Sequence, residues 1–340
     1  MHIHQKSLAF LCATMLASQP FAAAQAGDFL FQWDNDKVAD TDRHYTNGMR
    51  LGYVPTKPAF QLTYVATKLA TICLFNTPDN IRAGWVIGQD MYTPEDVYAT
   101  VPDPLDRPYA GWTYLGVTAQ SETTKGLTDF NQQDTIEVDF GIVGPASRAG
   151  ETQNWFHRKI NVSQSRGWDH QIGSELGLLV TRTLKLRMPL WEPFGKESPA
   201  FDIIPHATAQ VGNIKIAAAA GATLRFGGNL GEDFGPIYGT FAMPRARPDH
   251  LTWSFFIGAE ARAVARDMFL GGNTFKDSPS VKHNPFVLES RIGITTHMAL
   301  PKNWWANGVR LDLSHVQRTR EFTTQDKSDR YGSFKLTVNY

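Results

Sequence analysis

The sequence predicts an all-β protein, a transmembrane antiparallel β-barrel of about twelve strands with one or two short helical segments. Apolar and polar residues alternate along many short segments, as they do in strands whose two faces meet different surroundings. After its N-terminal region the chain has no run of the roughly 18 to 20 apolar residues that a spanning helix needs. The last residues alternate as well, and Phe334, Leu336, Val338 and Tyr340 end the chain on an aromatic side chain. Such an ending is typical of outer-membrane barrels.

The N-terminal segment predicts export from the cytoplasm. Lys6 precedes an apolar stretch at residues 8–17, and small residues follow at 22–26. This order is typical of a secretory signal peptide over residues 1–26, with cleavage after Ala26. An ordinary buried N-terminal helix is the alternative, and the A-x-A pattern after the apolar run argues against it.

The rest of the chain, residues 27–340, is predicted to form one barrel domain, because it contains no low-complexity linker and no helical repeat. Cys12 lies in the signal peptide, so Cys73 alone remains and an internal disulfide is excluded. The 33 basic and 33 acidic residues give a formal net charge of zero, which argues against a nucleic-acid partner. We expect a membrane-embedded monomer.

The clearest alternation runs through residues 135–142, where every second residue is apolar and the others are polar, charged or small. Looser and weaker candidates bring the count to about twelve strands, an even number as bacterial barrels require. The other candidate strands are residues 29–33, 49–53, 85–92, 112–117, 184–188, 201–211, 214–226, 253–259, 292–298, 309–313 and 334–340.

Three segments interrupt the strand pattern. Residues 61–75 and 146–160 are predicted to be helical, and residues 226–248, rich in glycine and proline, are predicted to be a long loop. We expect long loops on one side of the membrane and tight turns on the other. Many aromatic residues near the predicted strand ends suit interfacial girdles. A soluble sandwich or lipocalin-like barrel with an aromatic core is the alternative fold.

The first polar cluster comprises residues 34–36 and 40–48, which contain four aspartates. Carboxylate and amide oxygens close together could hold Ca²⁺ or Mg²⁺. The spacing is not that of an EF-hand loop. The alternative is a polar turn between two strands, because Asp, Asn and Thr favour turns.

The second polar cluster lies in the predicted helix at residues 151–158. Gln153 and His157 are four residues apart and would share one helix face. A histidine can take a proton from water in ester hydrolysis, although any one of the ten histidines could instead be structural. The chain has neither a G-x-S-x-G nor an H-E-x-x-H motif, which argues against two common hydrolase classes.

Taken together, these clusters and several short motifs resemble the lipid A 3′-O-deacylase family, whose members remove the 3′-linked acyloxyacyl group of lipid A. The similarity extends in order from the first strand to the middle of the chain, and beyond that it lies mainly in the strand pattern. The motifs are Asn35-Asp36, Asp42-Arg43, Tyr45 to Gly48, Gln89 to Pro94, Asp106 to Trp112, Gly144-Pro145, Gln153-Asn154 and His157-Arg158.

The resemblance implies a twelve-stranded barrel in the outer membrane of a Gram-negative bacterium, acting on lipopolysaccharide with Ca²⁺ as cofactor. It implies a site made of Asn35, Asp36, Thr46, Gln153 and His157. His157 would be the general base that activates water, and a Ca²⁺ held by Asp36 would polarise the ester carbonyl. The other three would donate to the oxyanion or orient the reacting groups.

The chain departs from the family at one position. Family members have a glutamate six residues after the histidine, whereas this chain has Ser163, so that carboxylate is absent or replaced, with Asp169 as a candidate. Adjacent residues on a strand point to opposite faces, so Asn35 and Asp36 can share a site only at a bulge or a strand end.

Two other functions stay open at this stage. One is an outer-membrane phospholipase with a serine nucleophile, for which only Ser147 and Ser163 flank the clusters. The other is a passive channel or structural barrel whose polar clusters line the lumen. The basic residues that would bind lipid A phosphates also stay open, with Arg43, Lys57, Arg107 and Arg158 as candidates.

Overall fold

The computed structural model describes residues 26–36, 44–57, 81–123, 128–193, 200–236, 240 and 250–340. They form a closed barrel in which each strand pairs antiparallel with its neighbours in the chain and β12 pairs with β1. The strands are β1 Gly27–Asn35, β2 His44–Pro55, β3 Ile81–Thr93, β4 Ala110–Thr123, β5 Asn131–Val143, β6 Glu175–Trp191, β7 Phe201–Gly212, β8 Lys215–Gly228, β9 Thr252–Asp267, β10 Phe286–Ala299, β11 Gly308–Arg318 and β12 Asp329–Asn339. The helices are α1 Ala149–Lys159 and the single-turn α2 Met268–Gly271, and 3₁₀ turns occur at Gly144–Ser147, Trp168–His170 and Leu230–Glu232.

The predicted fold class is confirmed. Every predicted strand segment overlaps one of the twelve strands, and the predicted helix at residues 146–160 corresponds to α1. The second predicted helix, residues 61–75, and the signal peptide before Ala26 lie outside the described residues. Within the described part of the chain, no helix is long and apolar enough to span a membrane.

The barrel is polar inside and apolar outside. On β9, Ser254 is buried with 1% of its surface exposed, whereas its neighbour Phe255 is 56% exposed. Glu260, farther along the same strand, is also buried, and Ile257 is exposed. Lipid around the outer wall explains this inversion, because apolar side chains are stable there while charges pair in the lumen. The alternative of a soluble barrel or sandwich with an apolar core is therefore wrong.

Ion pairs and a folded segment occupy the lumen. Arg225 donates to Asp202 at 2.6 Å and also bonds Asp233, which in turn bonds Arg310. Asp233 belongs to residues 230–236, here called the lumen plug. Lys185 holds the same segment through the carbonyl of Pro236 at 2.6 Å. The lumen also contains a polar cavity of about 190 Å³, whose lining includes Arg50, Asp90 and Glu260.

The barrel has two ends, defined here as the terminal end, where β1 begins and β12 finishes, and the helix end, where α1 lies. Long connections occur at both: residues 56–80 and 229–251 at the terminal end, and residues 144–174 at the helix end. At the helix end, only residues 213–214 join β7 to β8. The prediction of long loops on one side alone is wrong, because one long loop at the terminal end supplies the lumen plug.

Candidate active site

The candidate site lies on the outer wall of the barrel at the helix end, where α1 packs against β3 and β4. Gly111 permits this close approach, because a Cβ there would lie 2.2 Å from the Cβ of Ala149. Gln89 and Thr113 both donate to the carbonyl of Ser147, at 2.9 and 2.8 Å. These contacts fix the start of α1 on the wall.

A small buried cluster packs against the start of α1. Met91, Tyr109, Ala149 and Trp168 pack together, and the rings of Tyr109 and Trp168 have centroids 4.9 Å apart. The cluster joins β3, the connection before β4, α1 and the 3₁₀ turn after α1. The chain segment that follows the helix is thereby held against the helix face that carries Gln153.

A groove of about 790 Å³ separates α1 from the outward faces of β1 to β4. Its lining is mostly apolar, as in sites that bind hydrocarbon chains. Four polar side chains implied by the family resemblance line the same groove: Asn35, Thr46, Gln153 and His157. The apolar lining comes from Phe31, Trp33, Met49, Leu51, Ile87, Met91, Trp155, Phe156 and Ile160.

His157 is buried, and its Nδ1 lies 2.8 Å from the carbonyl oxygen of Ser163. A carbonyl can only accept, so Nδ1 carries the proton and donates it. In the neutral imidazole, Nε2 then keeps its lone pair and can accept a proton. The backbone of Ser163 thus supplies the orienting acceptor. Asp169 is exposed and has no hydrogen bond to His157 among the described residues, so the suggested replacement is not supported.

Gln153 lies one helical turn before His157, and both are buried on the same face of α1. The Oε1 of Gln153 accepts a hydrogen bond of 2.7 Å from the indole nitrogen of Trp168. Its Nε2 is buried and has no hydrogen-bond partner in the described part of the protein. A donor left in this state points to a ligand or an ordered water as its partner.

The ends of β1 and β2 bring the other two residues to the groove. Asn35 is the last residue of β1, and its Nδ2 donates to the carbonyl of Thr46 at 3.1 Å. Thr46 lies where the pairing of β2 with β3 shifts register, and its hydroxyl lies 2.6 Å from that of Thr93. The end of β1 and the bulge in β2 bring Asn35 and Thr46 to the groove, and whether Asn35 and Asp36 share one site stays a prediction.

Asp36 follows β1 directly and is 1% exposed, but it does not line the groove. Its carboxylate is a hard ligand of the kind that Ca²⁺ prefers. Among the described residues, no three Asp, Glu, His or Cys side chains are grouped to hold a metal. Asp40 and Asp42 lie outside the described residues. Binding of Ca²⁺ by Asp36 therefore stays a prediction.

The candidate phosphate-binding residues differ in their burial and in their position on the barrel. Arg107 is buried and lies 3.3 Å from Glu321. Burial disfavours ionised Glu321, but Arg318 and Arg107 outweigh it and lower the pKa of that carboxyl to about 2. Lys57 lies at the terminal end, far from α1 along β2. Arg158 is exposed on α1, and Arg43 lies outside the described residues.

The flanking serines do not form a nucleophile pair. The hydroxyl of Ser147 donates to the carbonyl of Gly144 at 2.6 Å and caps the turn before α1. Ser163 meets His157 through its carbonyl, on the Nδ1 side of the ring. No serine hydroxyl is hydrogen-bonded to His157 in the described residues, so the phospholipase hypothesis lacks its nucleophile.

Two residues of the site were not recognised as such in the sequence. Asn154 donates to the carbonyl of Ser165 at 3.2 Å and accepts from its amide at 3.0 Å, and Trp168 bonds Gln153. Asn154 was noted only as part of a motif. The contacts exist because residues 160–167 fold back along α1, and no spacing in the sequence indicates that return.

The closed barrel, its apolar outer surface and its lipid-facing groove define an outer-membrane β-barrel protein. A family model described as outer membrane protein LpxR matches residues 8–340, and the chain belongs to that family. Members are located in the outer membrane of Gram-negative bacteria, and we assign the protein there.

Two solved structures are similar to the chain, and the first of them has the same fold. LpxR from Salmonella typhimurium matches with a TM-score of 0.71 and 21% identity, covering 92% of this chain and 100% of that one. The β domain of the Bordetella autotransporter BrkA matches with a TM-score of 0.44 and 11% identity, covering 93% and 99%. No curated protein matches the chain by sequence.

Proposed function

We propose that the protein is an ester hydrolase that removes the 3′-linked acyloxyacyl group from lipid A. The observation that carries the proposal is the orientation of His157, whose Nδ1 donates to Ser163 beside an apolar, lipid-facing groove. A base at the wall of such a groove suits an ester whose acyl chains lie in the membrane. The helix end would face the outer leaflet, where lipopolysaccharide resides.

In the proposed reaction, Nε2 of His157 takes a proton from water as the water oxygen attacks the ester carbonyl carbon. The carbonyl π electrons move to oxygen and form a tetrahedral oxyanion. Its collapse breaks the bond to the 3′ oxygen of the sugar, and His157 returns the proton to that oxygen. The products are a sugar hydroxyl and a free acyloxyacyl carboxylic acid.

Hydrogen-bond donors beside the base would stabilise the oxyanion. Gln153 Nε2 has no partner among the described residues and is the first candidate, while the hydroxyl of Thr46 and the amide of Asn35 lie on the facing wall. A single donor of this kind typically contributes about 10²- to 10³-fold to the rate. We assign this role to Gln153 and a supporting role to Asn35 and Thr46.

We also propose that Ca²⁺ is the cofactor and that Asp36 is one of its ligands. A bound Ca²⁺ would supply positive charge that stabilises developing negative charge on the substrate. Asp36 follows Asn35 at the helix end of the barrel. A buried carboxylate is therefore one residue away from the groove lining along the chain. Terbium luminescence with the Asp36→Asn variant as control tests binding without reference to activity.

The decisive experiment is mass spectrometry of lipid A from a host that expresses the protein. The wild-type protein should remove the 3′ acyloxyacyl group, and His157→Ala should not. His170→Ala is the matched control, because His170 is an exposed histidine in the turn after the same helix. Full deacylation by folded His157→Ala would refute the proposed role of His157, and unchanged lipid A with folded wild-type protein would refute the activity.

A further inference from the structure

The proposed function gives Gln153 a role as hydrogen-bond donor, and this inference rests on that function. An amide side chain can present either its nitrogen or its oxygen to the groove by a half-turn. We propose that Trp168 is a positioning residue whose indole N–H holds the oxygen of the Gln153 amide, so that the nitrogen is left for the substrate.

The chemistry of the two groups decides the orientation. The lone pair of the Trp168 indole nitrogen is delocalised into the ring, so this nitrogen can only donate, and Oε1 of Gln153 faces it at 2.7 Å. The other amide atom, Nε2, is buried and has no hydrogen-bond partner among the described residues. Without the indole N–H, the amide could rotate and present an oxygen, which would repel a developing oxyanion.

The indole ring is held by packing as well as by this hydrogen bond. Its centroid lies 4.9 Å from that of Tyr109, and a Cβ on Gly150 would lie 2.8 Å from the ring. Trp168 is thus pressed against α1 on one side and the buried cluster on the other. A phenylalanine at position 168 keeps much of this packing and removes the N–H, which makes Trp168→Phe the informative substitution.

The kinetic test is a double-mutant cycle between positions 168 and 153. Trp168→Phe should lower kcat roughly tenfold and change KM less than twofold, since it weakens a donor to the transition state. In the Gln153→Ala background the same change should have no further effect. Tyr109→Phe is the matched control, because it removes a hydroxyl that bonds the carbonyl of Val97 in the same cluster.

Wild-type kcat in Trp168→Phe would overturn the inference. An equal loss in the presence and absence of Gln153 would also overturn it, since that result indicates a general packing role. Both outcomes leave the proposed function intact. Failure of the proposed function is recognised separately, by wild-type protein that leaves lipid A unchanged.

A second measurement does not depend on activity. The indole resonance of Trp168, assigned by its loss in Trp168→Phe, should exchange slowly with deuterium in detergent-solubilised protein labelled with ¹⁵N. Gln153→Ala should make that exchange at least tenfold faster, whereas His170→Ala should leave it unchanged. Exchange that is insensitive to Gln153→Ala would show that the hydrogen bond is not present and would overturn the inference.

Discussion

The lumen and the lipid-facing groove both bury polar side chains, but they do so differently. In the lumen, charged groups bind one another: Asp233 is bonded to both Arg225 and Arg310, and Arg318 donates to Glu289 at 2.7 Å. In the groove, Gln153 keeps a buried donor with no partner among the described residues, and the bond from His157 Nδ1 to Ser163 leaves the lone pair of Nε2 for a proton.

The difference separates charges that stabilise the barrel from groups that can react. A buried ion pair whose hydrogen bonds are satisfied has nothing left to offer a ligand, and removing one partner is costly. An unsatisfied donor costs stability and is therefore informative about ligands. We therefore propose that catalysis takes place in the groove, where His157 and Gln153 lie beside an apolar lining, rather than in the more strongly charged lumen.

Two buried histidines give the strongest test of this separation. His157→Gln should lower deacylation by about 10²- to 10⁴-fold, the usual contribution of a general base, with little change in the urea midpoint. His206 lies 3.3 Å from Glu260 in the lumen. The His206→Gln change should therefore lower the urea midpoint and leave deacylation almost unchanged. Similar loss of activity in both folded variants would remove the distinction.

The lumen plug offers a test of stability. Asp233→Asn leaves two buried guanidinium groups with a weaker partner, so we expect a loss of about 3 kcal/mol in the free energy of unfolding. Activity per folded molecule should be retained. Glu151→Gln, at an exposed pair with Arg148 whose closest atoms are 3.9 Å apart, should leave the urea midpoint almost unchanged. A plug variant as stable as wild type would contradict this role for Asp233.

We expect the apolar wall of the groove to determine how tightly the acyl chains of the substrate bind. Leu51→Trp narrows the groove and should raise KM for long-chain substrate roughly tenfold, because about 1.4 kcal/mol of contact is lost. Leu115→Trp is the control, since Leu115 is 64% exposed on the same outer wall but outside the groove. Detergent-micelle assays with substrates of two chain lengths measure the effect, and an equal KM for both variants would argue against this binding site.

The smallest expected effect concerns the turn after α1. Asn154→Asp keeps the acceptor for the Ser165 amide but replaces the donor to the Ser165 carbonyl with an oxygen, so the turn bearing Ser163 should loosen. We expect kcat to fall about threefold to fivefold, less than a direct catalytic loss, because the histidine itself remains. Thr152→Ser, which keeps its hydroxyl bond to Arg148, should match wild type in the same assay.

The barrel was largely predictable because apolar and polar residues alternate along each strand, whose two faces meet lipid and the polar lumen. Residues 135–142 alternate so clearly that β5 follows from them alone, and weaker segments were placed by the same rule. The site was predictable only through family resemblance, since Asn35 and His157 lie 122 positions apart along the printed sequence and no local pattern joins them. The structure brings both to one groove.

What could not be predicted depends on long-range packing. The lumen plug needs Arg225 and Arg310 from different strands, so residues 230–236 look like an ordinary loop in the sequence. The acceptor for His157 is a backbone carbonyl, which every residue has, so Ser163 carries no signal of its own. Trp168 likewise resembles any core tryptophan until its partner Gln153 is known.

The pairing of β1 with β12 has a consequence for assembly. Asn339 donates to Asp28 at 2.7 Å across 311 positions of sequence, and Gly27 and Tyr340 exchange two backbone hydrogen bonds. The first strand to leave the ribosome must therefore wait for the last one, with its edge open to other chains. Closure of the barrel is therefore the last pairing that the chain can make, because it requires residues 329–340.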